Sequence, residues 1–245
     1  MESSSIQADQ LAQRVATILD MSVRIGYLRH LLQQMDVEHV ADLITTTKAN
    51  AEKKKPLYSD LLLYIFLGLS DESCEQLKHA VATLLDSRDQ QDLSKMLLQS
   101  PDDIDRQGVR VPDFGLGRQV TLGERKAFAR KSARETIARA LRDPNVSVIR
   151  ILLDNPALTE SDVVRICARR PILPEILREV FRSWRWIVRN RVKTAIVLNP
   201  HTPLDISLQL APQLTSPDLR QVITTPNLPQ ELYEFCQRLL SRTPK

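Results

Sequence analysis

The sequence predicts an all-α protein, an N-terminal helical bundle followed by a right-handed-type α-solenoid of short repeats. The first observation behind this is composition. The chain is 42% apolar but only 4% aromatic, with 6 glycines against 14 prolines. Leu, Ile, Val and Ala in that proportion suit helix-on-helix packing better than a sheet. The second is punctuation. Apolar stretches stop at Asn155-Pro156, Arg170-Pro171, Asn199-Pro200 and Thr225-Pro226. New ones open on a proline followed by an acid, as in Pro174-Glu175, Pro203-Leu204-Asp205, Pro217-Asp218 and Pro229-Gln230-Glu231. Proline lacks an N–H and pushes the preceding residue out of the α region, so it ends a helix. At the first helical position it is harmless, and an acid beside it meets the positive end of the helix dipole. The third is that one such rule, applied repeatedly, describes stacked short helices.

Taken in order, Leu11, Val15, Ile18 and Leu19 stand at helical spacing, as do Ile25, Leu28, Leu31 and Leu32. Met35-Asp36 marks a break before a third helix from Val37 to about Ile44, and Lys53-Lys54-Lys55-Pro56 reads as a solvated loop. Tyr58 to Leu69 is the most apolar stretch and is expected at the centre of the bundle. Its apolar run is about half the roughly 20 residues that span a bilayer, so no membrane span is expected. Asp71-Glu72 opens a helix carrying Leu77, Val81, Leu84 and Leu85, and a short one follows from Gln91 to Leu98. Residues 101–120 collect Pro, Gly and Asp and read as a linker. Thr121 and Glu124 then form a capping box. After it come Arg134–Leu141, the stretches before each X-Pro stop, one helix over Ile187–Leu198, and three more ending at Leu240.

Val148-Ile149-Arg150-Ile151-Leu152-Leu153-Asp154-Asn155-Pro156 falls on Val192-Lys193-Thr194-Ala195-Ile196-Val197-Leu198-Asn199-Pro200 at an offset of 44 residues. With Asp143-Pro144 before the first copy, the phrases DPNVSVIRILLDNPALTESDVV and LNPHTPLDISLQLA resemble leucine-rich-repeat-variant and HEAT-like proteins over about residues 121–240. TLGERKAFAR is similar to helical-repeat proteins of uncharacterised function from bacteria such as the myxobacteria. The resemblance implies a superhelix of alternating helices and an interaction role. Variant-repeat proteins with an iron–sulfur cluster need several N-terminal cysteines. This chain has only Cys74 there, so no cluster is implied.

Charge supports the division into 1–100, an acidic bundle; 101–120, a linker; and 121–245, a basic repeat domain. Residues 1–117 carry 12 Lys/Arg and 18 Asp/Glu, whereas residues 118–193 carry 18 and 8. Three widely spaced cysteines, Cys74, Cys167 and Cys236, give no disulfide framework, and MESSSIQADQ has no secretion-signal pattern. A cytoplasmic protein is expected.

No pattern demands catalysis. Gly115-Leu116-Gly117-Arg118 has Val120 where a dinucleotide fingerprint needs its third glycine, and Lys131-Ser132 lacks the upstream glycines of a P-loop. His30, His39, His79 and His201 show no ligand pairing. No cofactor or metal is expected, and the chain reads as a non-enzyme. One segment stands out. Arg182, Trp184, Arg185, Trp186, Arg189, Arg191 and Lys193 place both tryptophans and five cations within 12 residues. One reading makes a tryptophan core and the arginines a solvated face. The other makes the segment a docking surface, since Trp and Arg dominate binding hot spots. Arg125, Lys126 and Arg130 could extend it. The leading expectation is a scaffold or adaptor for an acidic protein or peptide partner. The alternative is a nucleic-acid-binding protein that uses the same basic face.

Overall fold

A computed structural model describes residues 2–53, 55–98, 111–114 and 117–241, with side chains of 2–7 and 56 left aside. The described residues form helices joined by turns and short irregular segments, with no strand, so the all-α expectation holds. The chain divides into two compact units. One comprises Met1–Ser100, Leu204–Thr224 and Pro229–Lys245; the other comprises Pro101–Pro203 and Thr225–Leu228.

The first unit contains α1 (Glu2–Thr17), α2 (Met21–Gln34), α3 (Val37–Glu52), α4 (Pro56–Leu69), α5 (Glu75–Ser87) and α6 (Gln91–Leu98). A 3₁₀ turn, Glu72–Cys74, precedes α5. The starts follow from capping. Asp20 accepts from the amides of Ser22 and Val23, and Asp36 from that of His39. Proline opens α4. Every residue from Leu61 to Leu67 is buried, so α4 is apolar on all sides and forms the centre of this unit, as its sequence suggests. Leu28 and Leu32 of α2 and Val40, Ala41 and Ile44 of α3 belong to the same core. Helix α3 runs on past Ile44 to Glu52, burying Thr47 and Ala51. The other deviation is Leu19, which lies beyond α1 and is exposed.

The same unit includes α14 (Leu204–Leu210), a 3₁₀ turn at Ala211–Gln213, α15 (Ser216–Thr224) and α16 (Gln230–Ser241). The sequence reading grouped these with residues 121–203. Long-range polar contacts give the physical reason for the different grouping. The side-chain amide of Gln209 donates to the Met96 carbonyl, and that of Gln213 to the Ser59 carbonyl at 3.3 Å. Arg238 binds Asp92 at 2.8 Å. Helical periodicity carries no sign of partners so distant in sequence.

The second unit contains α7 (Leu122–Ala129), α8 (Arg134–Ala140), α9 (Val146–Leu153), α10 (Glu160–Ala168), α11 (Pro174–Arg182), α12 (Trp184–Ile187) and α13 (Asn190–Val197). The capping box of Thr121 and Glu124 is present, and Thr159 with Asp162 makes a second at α10. Helices α9, α10 and α13 end just before Asn155-Pro156, Arg170-Pro171 and Asn199-Pro200. The single helix expected over Ile187–Leu198 is instead split between α12 and α13, because Arg189 is extended (φ −82°, ψ 123°) and starts α13 as its N-cap. Of the expected linker, residues 101–110, Gly115 and Leu116 lie outside the described residues. Phe114 is buried, its ring stacked on Phe128 with centroids 5.2 Å apart, and its carbonyl accepts from Arg139.

Asn155 and Asn199 make the same three hydrogen bonds. The Asn155 Nδ2 donates to the carbonyls of Ala129 (2.8 Å) and Lys131 (2.9 Å), and its Oδ1 accepts from the Ala157 amide (2.9 Å). The Asn199 Nδ2 donates to the carbonyls of Cys167 (2.6 Å) and Arg169 (2.9 Å), and its Oδ1 accepts from the His201 amide (3.0 Å). Each side chain thus satisfies carbonyls orphaned at the end of an earlier helix, α7 in one case and α10 in the other. The residue that stops one helix also ties it to another.

Candidate functional site

Charged side chains of the second unit do comparable work. Asp143 is fully buried and receives the Arg125 guanidinium at 2.8 and 3.0 Å. Asp162 is almost wholly buried and takes a bidentate fork from Arg134, both bonds 2.9 Å. Glu179 takes another from Arg150, at 2.7 and 2.8 Å. Such forks are the strong form of the ion pair, because two parallel N–H groups match a carboxylate. Burial alone would raise the Asp162 carboxyl, but the Arg134 guanidinium and the Thr159 hydroxyl and amide hold it down at about 2. The Arg118 guanidinium and the Thr121 amide and hydroxyl likewise hold Glu124 down at about 2. Part of the basic excess in residues 118–193 is therefore engaged in holding helices together.

The Arg/Trp segment divides into a buried half and an exposed half. Trp186 is 2% exposed, and its indole Nε1 donates to the Leu153 carbonyl at 2.8 Å, which satisfies the polar atom that burial would otherwise strand. Its ring carries two guanidinium groups, Arg185 at 4.7 Å from the centroid and Arg189 at 5.3 Å. Arg185 also donates to the Asn155 carbonyl at 3.3 Å, and Arg189 binds Glu160 at 3.1 Å. Two residues away, Trp184 is 42% exposed, and Val188 is 38% exposed. The backbone is helical from Trp184 to Val188, so these two, four apart, share a face. Arg182, two residues before Trp184 at the end of α11, is 3.6 Å from Glu179 and 37% exposed, and Arg191 is exposed in the first turn of α13.

Comparison with protein-family models, with the curated proteins and with the solved structures returns no match. The chemistry of the site therefore rests on its own geometry.

Of the ten residues that the sequence singles out, three converge in direct contact. Arg185 and Arg189 lie over the ring of Trp186, which is their floor rather than a surface residue. Trp184 is exposed on the same short helix, and Arg182 pairs with Glu179. Lys193 is buried on α13. Arg125 is held by the buried Asp143, its side chain 11% exposed. Lys126 is half-buried, and Arg130 is exposed with its guanidinium on the Lys126 carbonyl at 3.2 Å. The end of α7 still meets the cluster at one point. Asn155 donates to Ala129 and Lys131 while its own carbonyl accepts from Arg185.

Three participants escaped the sequence reading. Val188 was legible, as the apolar residue four positions after Trp184. Glu160, which holds Arg189, and the Asn155 carbonyl, which holds Arg185, come from distant parts of the chain and left no local signal. Among the described residues, no group of three or more His, Cys, Asp or Glu side chains is placed to hold a metal ion, and no helix is long and apolar enough to cross a membrane. Burial pushes the Cys167 thiol far up and the Cys236 thiol up to about 12, which leaves both inert as nucleophiles at neutral pH.

Proposed function

We propose that the protein is a non-enzymatic helical-repeat scaffold that docks an acidic segment of a protein partner on the Trp184/Val188 face. The observation that carries this reading is the exposed Trp184, on one short helix with a buried tryptophan whose ring carries the Arg185 and Arg189 guanidinium groups. An exposed aromatic anchor and arginines in one segment are the composition of a binding hot spot. Arg189 suits such a site: its surface pair with Glu160 is worth at most about 1 kcal/mol, so an incoming carboxylate can replace it. Support for the repeat reading comes from Asn155 and Asn199, which make identical sets of bonds 44 residues apart. The nucleic-acid alternative needs a long run of disengaged cations, and Arg125, Arg134 and Arg150 are engaged with carboxylates.

The test is a titration of the full chain with a Glu-rich peptide carrying apolar anchors, and separately with duplex DNA, at about 50 mM salt and at about 500 mM. The reading predicts saturable peptide binding that weakens at high salt, with no binding of the duplex. Duplex binding tighter than peptide binding would overturn it.

A further inference from the structure

A cleft in the first unit has the shape and chemistry to receive what the second unit exposes. It encloses about 490 Å³ between α1, α2 and α3, within the range of pockets that hold a compact ligand. Its floor is Leu11, Tyr27, Leu31, Met35 and Leu43. An indole entering there would meet an aromatic ring, a polarisable thioether and three leucines, the surroundings in which an aromatic anchor gains most. Gln34, Asp36 and Asp42 also line the cleft; Asp42 already accepts from Arg88 at 2.6 Å and Asp36 from His39. The remaining lone pairs of these groups are the oxygen acceptors that an indole N–H requires once it is withdrawn from water. The two basic groups of the lining are engaged locally. Arg14 lies over the Tyr27 ring at 5.2 Å, and His39 contacts the Asp36 carboxylate at 2.6 Å.

From these features, and from the reading of Trp184 as a docking residue on which the idea rests, we infer that the partner is a second copy of this chain. Trp184 and Val188 of one copy enter the α1–α2–α3 cleft of the next. The basic segment that carries Trp184 then faces a region of opposite sign, since residues 1–100, which form the cleft, carry 14 acids against 10 bases and residues 118–193 carry 18 bases against 8 acids. Each copy offers both a knob and a cleft, so two copies can pair reciprocally or the contact can run on into larger rings or filaments.

Sedimentation velocity on the full chain at low salt tests this. The average mass is expected to rise above that of the monomer with concentration and to fall at high salt. Trp184→Ala should weaken association at least ~30-fold, the loss of one hot-spot anchor. Leu31→Arg, which fills the cleft and charges it, should do the same. Gln10→Arg, on the exposed rim, keeps the test available if Leu31→Arg fails to fold. The deciding experiment mixes the two kinds of variant. Trp184→Ala retains an intact cleft and a cleft variant retains an intact Trp184, so each alone stays monomeric while the mixture forms a one-to-one dimer and nothing larger. A chain that stays monomeric at all concentrations, or a mixture that recovers no dimer, overturns the inference. If such a monomer still binds the Glu-rich peptide through Trp184, the docking reading stands and self-association alone falls. If peptide binding is absent too, both fall.

Discussion

Both units use polar ties, but they differ in where the ion pairs sit. Arg29–Asp71, Arg88–Asp42 and Arg238–Asp92 of the first are partly exposed on both sides, whereas the carboxylates of the second, Asp143, Asp162 and Glu179, are buried. In the first, α4 is buried from Leu61 to Leu67 and the neighbouring helices contribute Leu28, Leu32, Val40 and Ile44 to the same core. In the second, apolar residues are also buried, but the short helices are tied by side chains that reach backbone carbonyls or carboxylates: Asn155, Asn199, Trp186, Arg125, Arg134 and Arg150. The backbone ties of the second unit follow from helix length. Helices α7 to α13 have four to nine residues, so a large share of their carbonyls lie in unsatisfied last turns. The lesson concerns charge as well. A basic count in such a unit measures its internal ties as much as its affinity for anions.

Substitutions at the two kinds of contact should have effects of different size. The largest effect is expected at Asp143, where Asp143→Ala would leave the nearly buried Arg125 guanidinium without its counter-charge. A loss of about 3–5 kcal/mol, read as a lower denaturation midpoint, is expected. A loss under about 1 kcal/mol would show that the tie is ornamental. Next comes Leu62→Ala in α4, expected to cost about 2–5 kcal/mol with no dependence on pH between 4 and 7. Asn199→Ala should cost about 1–3 kcal/mol through the carbonyls left unpaired, with faster amide exchange confined to the end of α10 and residues around His201.

The smallest effect is a dependence on acid. The Asp162 carboxyl sits at about 2 in the folded protein against an ordinary value of 3.8. A depressed acid stabilises the fold fully above its unfolded value and loses that contribution as pH falls through the folded one. Protection factors at Thr159 and Asp162, corrected for the intrinsic pH dependence of exchange, should therefore fall between about pH 4 and pH 2, while those of the α4 amides hold. An equal fall in both places would erase the distinction between the units.

Much of the secondary structure was legible because helix ends are local. Thr121 and Glu124, three apart, announce a capping box, and Asn155-Pro156 announces a stop. The apolar run of α4 announces its burial. What stayed hidden depends on distance or on a conformation that composition does not mark. The left-handed residues Asp89 (φ 58°) and Asn227 (φ 64°) stand where glycine would have been the signal. The break between α12 and α13 has no proline or glycine; Arg189 is extended there with its guanidinium over the Trp186 ring. Within the Arg/Trp segment the sequence could name both tryptophans but could not say which was floor and which was surface. Only Leu153, from 33 residues earlier, separates them, by accepting the Trp186 N–H.

That separation is the central claim, and a paired substitution tests it most directly. Binding of the Glu-rich peptide and the denaturation midpoint are measured for Trp184→Ala and for Trp186→Ala. The account predicts that Trp184→Ala loses binding at least ~30-fold with its midpoint unchanged, whereas Trp186→Ala loses about 3–5 kcal/mol of stability. If Trp184→Ala binds as well as the native chain, or if it is the variant that unfolds easily, the account is contradicted.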